Sequence, residues 1–274
     1  MSGWGRDLAT LWTNCVPPSR PSYAEMWIYT NYLNKLRRFF NPVKLLVLGS
    51  TPEFRDWGYD ENLEISVIDQ SKDYYEVISR ELRHKNLQET LFISKWEEMT
   101  FPHKFDIIIG DLAIGNIQPE MFDVFLENVK NALSQFGLFM GKSFLWKDDE
   151  QIKTPAQIIR EYNDSEKVHP YTFINHQLGL YCLNKESNLI NFGQMYCELE
   201  TLHKSGELDS VVYSFFQNLG WNAEMNFSFF APSQEFFIEH VNKKLNFVKF
   251  EFPVEKYVNV FPIYIVTQKG GYSL

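Results

Sequence analysis

The stretch Val43-Lys44-Leu45-Leu46-Val47-Leu48-Gly49-Ser50-Thr51-Pro52-Glu53-Phe54 decides how this chain is read. Its first half is a short, almost unbroken apolar run stopped by a glycine, the pattern of a strand buried on both faces, as parallel strands are. A glycine at that point lets the backbone approach a ligand, and the amides that follow can face an anionic group. A simple strand-ending turn would give the same residues, so the neighbouring segments have to arbitrate.

Downstream, Leu63–Asp69 reads as a second strand ending on an acid, and Ser71 as the N-cap of a helix through Leu82. Thr90–Ile93, Phe105–Asp111 and Gly137–Phe144 supply three further strand candidates, and Pro119 opens a helix whose apolar face carries Phe122, Phe125, Leu126, Val129 and Leu133. Upstream, Tyr23 to Phe40 has helical apolar spacing after the Pro17-Pro18-Ser19-Arg20-Pro21 breaker. Strands alternating with helices predict an α/β protein on a doubly wound, mostly parallel sheet.

After Phe144 the rhythm changes. Residues 145–231 hold helix candidates at Pro155–Tyr162, Phe192–Lys204 and Leu208–Leu219 without convincing strands, and read as a mainly helical insertion. Ser233 then caps a helix through Leu245, and Phe247–Phe252 with Val260–Thr267 predict a C-terminal antiparallel hairpin, because the link between them is too short for a parallel crossover. The expected organisation is an N-terminal helical segment (1–42), a ligand-binding sheet domain (43–144 and 232–274) and a cap (145–231).

Composition bounds the partners. The chain has 274 residues, 45% hydrophobic, with 26 basic against 35 acidic residues and a net charge of −9, which disfavours the phosphate-neutralising surface of a nucleic-acid binder. No apolar run approaches the ~20 residues that span a bilayer, and the chain opens without a signal-like pattern, so a cytoplasmic protein without membrane contact is expected. Cys15, Cys182 and Cys197 are too scattered for a disulfide framework or a zinc site. Asp148-Asp149-Glu150 reads as a solvated helix start, and no metal is expected.

Asp69 lies twenty residues after Gly49 (69 − 49), where an acid at the end of the second strand accepts hydrogen bonds from both hydroxyls of a ribose. A nicotinamide fingerprint would place glycines at 49, 51 and 54, but the residues there are Gly49, Thr51 and Phe54, which demotes a nicotinamide-dependent oxidoreductase.

At these residues the chain resembles the class I S-adenosylmethionine-dependent methyltransferases. The resemblance covers residues 43–144 and resumes at 232–274, and Leu48–Glu53 is similar to a subgroup carrying Leu-Gly-x-Thr-Pro-Glu. It implies a Rossmann-like sheet, S-adenosylmethionine as cofactor, and methyl transfer to an unidentified acceptor; the net charge of the 145–231 cap gives no reason to expect a polyanion, so a small-molecule acceptor is expected. It also implies cofactor contacts from Gly49, Ser50 and Thr51 to the methionine part, from Asp69 and Gln70 near the ribose, from Lys95 and Trp96 beside adenine, and from Asp111 and Leu112 beside the methyl donor. The family's first motif has two or three glycines, whereas this one has a single glycine. Trp96 and Asp111 also admit purely structural readings, as a core tryptophan and a loop aspartate. Trp4 and Trp12 could fold over the cofactor or dock an N-terminal helix.

No histidine pair or triad stands out. His169, His176 and His203 are the general-base candidates, none of them assignable, and the catalytic residues are left unknown. A noncatalytic cofactor-binding protein of the same fold is the remaining alternative.

Overall fold

A computed structural model describes residues 12–86, 88–165, 168–254 and 260–271. Trp4 lies outside the described residues.

A helix α1 (Tyr23–Leu36) starts in a complete capping box, with the Ser22 hydroxyl accepting from the Glu25 amide and the Glu25 carboxylate accepting from the Ser22 amide. Seven strands follow in one sheet: β1 (Lys44–Leu48), β2 (Glu64–Asp69), β3 (Glu89–Ile93), β4 (Phe105–Asp111), β5 (Leu133–Lys142), β9 (Asn246–Glu251) and β10 (Ile263–Thr267). Their spatial order is β3-β2-β1-β4-β5-β10-β9. β1 pairs in parallel with both β2 and β4, and β10 runs antiparallel to both β5 and β9. This is the Rossmann-like, doubly wound sheet with a C-terminal antiparallel hairpin that the strand pattern predicted.

The apolar runs are explained by two-sided burial. On β1, Leu45 and Val47 join the core beneath α1 and α2 (Pro52–Asp60), while Leu46 and Leu48 join the core beneath α4 (Phe122–Ala132) and α9 (Gln234–Lys244). Because side chains alternate faces along a strand, covering both faces requires an apolar residue at every position.

Helix α3 (Lys72–Ile78) is shorter than predicted. The Ser79 hydroxyl donates to the Tyr75 carbonyl at 2.6 Å, and the chain tightens into a 3₁₀ turn over Ser79–Glu81. Likewise, the helix opened by Pro119 begins as a 3₁₀ turn and becomes α-helical only at Phe122.

The insertion differs most from expectation. Besides α5 (Pro155–Asp164), α7 (Phe192–Lys204) and α8 (Ser210–Asn218), it holds an unpredicted helix α6 (Pro170–Tyr181). It also holds a three-stranded antiparallel sheet of β6 (Leu183–Asn184), β7 (Leu189–Asn191) and β8 (Ser228–Phe230). Strands of two or three residues are too short to display alternation, and α6 is apolar on several sides, which blurs its periodicity. The insertion has its own core, separate from the two layers against the large sheet. Its sheet rests on the loop after β4: a Cβ on Gly115 would fall 1.8 Å from the Phe229 ring, so only glycine admits this contact.

Candidate functional site

In a doubly wound sheet, ligands bind beyond the carboxyl ends of the strands, where the strand order reverses, here between β1 and β4. Gly49 follows β1, Asp69 ends β2 and Asp111 ends β4, so all three stand on that edge.

Gly49 has φ +83°, a left-handed conformation that glycine adopts without strain, and its amide donates to the Ile68 carbonyl at 2.8 Å. This turns the chain so that the Ser50 hydroxyl donates to Asp69 Oδ2 at 2.6 Å, while the Ser71 amide donates to Oδ1 at 2.9 Å. Asp69 is buried, and desolvation raises its pKa against the opposing pull of those donors. Thr51 caps α2 through its backbone without a side-chain cap bond. Trp96 lies over the glycine turn: its ring is 3.5 Å from the point a Gly49 Cβ would occupy, and Nε1–H donates to the Ile68 carbonyl at 3.2 Å. Gly49, Ser50, Asp69 and Trp96 are thus assembled in one place.

Two predicted residues are not drawn in. Lys95 is exposed beside Glu98, 3.7 Å away, and Gln70 is exposed next to Asp69. Both lie at the rim.

Across the edge, Asp111 belongs to a buried charge cluster that the sequence reading missed. Lys142, at the end of β5, is fully buried and donates to both Glu25 carboxylate oxygens, at 3.0 and 2.9 Å, and to the Arg20 carbonyl at 3.1 Å. Its Nζ lies 3.2 Å from Asp111 Oδ1. Burial pushes the Asp111 carboxyl up to about 7, the charge of Lys142 holding it from rising further. The only legible signal was a lysine within the otherwise uncharged strand run Gly137–Phe144.

Residues 12–22 cross this edge as a strap. Trp12 packs against Tyr74, Val77 and Ile78 of α3. Arg20 donates through Nε to Glu53 Oε1 at 2.7 Å and through Nη2 to the same oxygen. Burial pushes the Cys15 thiol up to about 11, Arg20 lowering it while Glu53 and Asp111 raise it, so the four groups surround one region. Within it, Glu53 Oε2 is buried without a hydrogen-bond donor among the described residues, whereas Asp111 Oδ1 has the Lys142 ammonium 3.2 Å away. Beneath the loop, Arg55 is buried, paired with Glu89, and donates to the Ser50 carbonyl at 3.4 Å.

The strap also touches the insertion, with the Ser19 and Tyr171 hydroxyls 2.6 Å apart and the Thr172 hydroxyl donating to the Pro17 carbonyl at 2.6 Å. Leu112 adopts φ +52°, a strained conformation for a leucine, held by its amide donating to the Lys142 carbonyl and by Asn116 donating to its own carbonyl. Its side chain packs on the insertion's core.

The three histidines are occupied structurally. The His169 ring caps α6 by accepting from the Tyr171 amide at 3.3 Å. The His176 ring bonds the Thr172 carbonyl at 2.9 Å, and burial lowers its pKa to about 4. The His203 ring bonds the Leu208 carbonyl and stacks on Tyr213 at 4.3 Å. Among the described residues no group of three His, Cys, Asp or Glu could hold a metal ion, and no helix is long and apolar enough to cross a membrane.

Neither protein-family models nor curated proteins match the chain. Solved structures do. An S-adenosylmethionine-dependent methyltransferase from Clostridium acetobutylicum aligns over 91% of both chains with TM-score 0.54 and 13% identity. The CcbJ methyltransferase from Streptomyces caelestis aligns over 97% of this chain and 98% of its own, with TM-score 0.58 and 8% identity. A candidate Zn-dependent alcohol dehydrogenase from Rhodobacter sphaeroides aligns over 96% and 95%, with TM-score 0.58 and 15% identity. At these identities the likeness establishes the class of fold, a Rossmann-like sheet of the kind methyltransferases use. Chemistry has to be argued from the site.

Proposed function

We propose that this protein binds S-adenosylmethionine at the Gly49–Asp69–Asp111 edge and transfers its methyl group to a small-molecule acceptor held under the 145–231 insertion. One observation carries the reading: a glycine turn and a buried, oriented aspartate stand on the same edge as two further acids, Glu53, whose Oε2 lacks a donor among the described residues, and Asp111, which shares the Lys142 ammonium with Glu25. That set of acceptors fits a ligand with vicinal hydroxyls at one end and cationic groups at the other. Asp69 has lone pairs left for ribose hydroxyls after accepting from Ser50 and Ser71, and an ammonium would satisfy Glu53 Oε2. The likeness of Leu48–Glu53 to the Leu-Gly-x-Thr-Pro-Glu subgroup extends the same reading.

When bound, the cofactor supplies an electrophilic methyl on a sulfonium, so the reaction needs alignment and desolvation more than a protein nucleophile. In this chain Asp69 would hold the ribose, Trp96 would flank the base, and Asp111 with Glu53 would anchor the amino-acid end. The Cys15 thiol, pushed up by burial, stays protonated at neutral pH and is no competing nucleophile. The overall negative charge supports an acceptor other than nucleic acid.

Closure of the strap by Arg20 and Glu53 favours a second reading, a noncatalytic binder of the same cofactor. Calorimetry with S-adenosylhomocysteine and, separately, NADH tests the first step. Binding of the former alone is expected, and tight binding of NADH alone would overturn the assignment. Turnover of S-adenosylmethionine with a bound acceptor separates the enzyme from the binder.

A further inference from the structure

Where the insertion meets the strap and the loop after β4, a cavity of about 50 Å³ is lined by Ser19, Leu112, Tyr171, Asn175, Phe192 and Phe261, among others. Among the described residues no charged side chain lines it. The cluster of Arg20, Glu25, Glu53, Asp111 and Lys142 stops at Asp111, and the next residue, Leu112, turns its apolar side chain into the insertion's core and this cavity. The strained backbone of Leu112 stands at the boundary, where strain commonly marks function. Among the polar atoms around the cavity, the Ser19 and Tyr171 hydroxyls bond each other, whereas Asn175 Oδ1 is buried with no donor among the described residues.

We propose that this cavity receives the acceptor, and that the acceptor is a neutral aromatic molecule carrying one O–H or N–H that donates to Asn175. The proposal rests on the methyl-transfer reading and narrows it to a substrate class. An ionised group entering here would lose its hydration and meet no counter-charge, which excludes carboxylates and phosphates. A flat ring can pack edge-to-face or offset against Tyr171, Phe192 and Phe261, geometries that aromatic pairs prefer. The donor is demanded by Asn175 Oδ1, a buried acceptor that is costly to leave unmatched. The space is less than two waters' share of liquid volume (~30 Å³ each), so a ring enters by parting the Ser19–Tyr171 contact. That opens the cavity toward the strap and the Asp111 edge.

Gly179 offers a way to block the site. A Cβ there would make ordinary contacts with Ile190 at 3.5 Å and Phe144 at 3.6 Å, both cavity-lining residues, so a longer side chain fills the space. Saturation-transfer NMR titrations of phenol, toluene and benzoate, with and without saturating S-adenosylhomocysteine, test the proposal on the wild type, Gly179→Leu and Asn175→Leu. Thermal melts establish that each variant is folded. Phenol is expected to bind the wild type at least tenfold more tightly than benzoate. Asn175→Leu should weaken phenol about tenfold while leaving toluene unchanged, and Gly179→Leu should abolish both. Affinity for S-adenosylhomocysteine should be the same in all three proteins. Benzoate binding as well as phenol, or phenol binding indifferent to both substitutions, would overturn the proposal. Phenol behaving as expected on a wild type that does not bind S-adenosylhomocysteine would leave the ligand class standing and overturn the methyl-transfer reading instead.

Discussion

The two sides of Asp111-Leu112 are built on opposite principles. On the sheet side, carboxylates and cations from distant parts of the chain are brought together: Glu25, Asp69, Asp111, Arg55 and Lys142 are buried, with the partly exposed Arg20–Glu53 pair beside them, some of them within hydrogen bonds of one another. On the insertion side, an aromatic core surrounds a cavity that no charged side chain among the described residues lines. Buried ion pairs are expensive to make and add little net stability, so a protein that keeps several at the end of a sheet is holding polar groups ready in fixed places. An aromatic cavity costs less to build and selects by shape and by the absence of charge. The contrast suits the proposed division of labour, a charged cofactor on one side and a neutral acceptor on the other.

The largest test of this contrast removes its central cation. Lys142→Met should cost about 3–5 kcal/mol in chemical denaturation, because Glu25 and Asp111 would be left buried without their partner. Adding Glu25→Gln should recover part of the loss. A wild-type midpoint for Lys142→Met would mean that this side is not organised by charge.

The insertion has its own titration signature through His176. Its pKa falls from 6.5 in the unfolded chain to about 4 in the fold because burial disfavours the imidazolium. The folded ring therefore stays neutral while the unfolded one takes up a proton. The stability linked to His176 is complete above pH 6.5 and is lost as pH falls toward 4, by up to ~3 kcal/mol at about 1.4 kcal/mol per unit. Asp111, raised to about 7 in the fold, contributes a slope of opposite sign over the same range, so the His176 contribution is read as the stability difference between wild type and His176→Phe, which should change by up to ~3 kcal/mol between pH 7 and 4. An unchanged slope in the variant would assign the pH dependence elsewhere.

Asp69→Ala tests the cofactor side directly. It deletes the acceptor for Ser50 and Ser71 and for the proposed ribose hydroxyls, and should weaken S-adenosylhomocysteine binding at least tenfold, ~1.5–3 kcal/mol, with the far-ultraviolet dichroism unchanged. Calorimetry finding equal affinity in the folded variant would remove Asp69 from the site.

The smallest effect is expected on the seam. Tyr171→Phe deletes the Ser19 contact, and should cost ~0.5–1.5 kcal/mol and speed hydrogen exchange in residues 14–20. Exchange that stays as slow as in the wild type would place the strap's anchorage elsewhere, at Arg20–Glu53 and Thr172–Pro17.

What the sequence by itself determined is the sheet and its edge. Runs such as Leu45–Leu48 and Ile107–Ile109 announce two-sided burial residue by residue, and Gly49 with Asp69 twenty positions later marks the carboxyl ends of the strands, the edge on which sheets of this kind bind ligands. These signals are local, since the periodicity of a strand and the freedom of a glycine are properties of a few neighbouring residues. Only the tertiary structure decided that Lys142 meets a glutamate 117 residues earlier, that Ser19 closes on Tyr171, and that Asn175 borders a cavity shared with Leu112. A buried charge is recognisable in sequence as an oddity, but its partner is chosen by which strand and helix ends the fold brings within a few ångströms. Helix α6 and the small three-stranded sheet were illegible for a related reason: their elements are short or apolar on several sides, and are held in place by packing rather than by any pattern of their own.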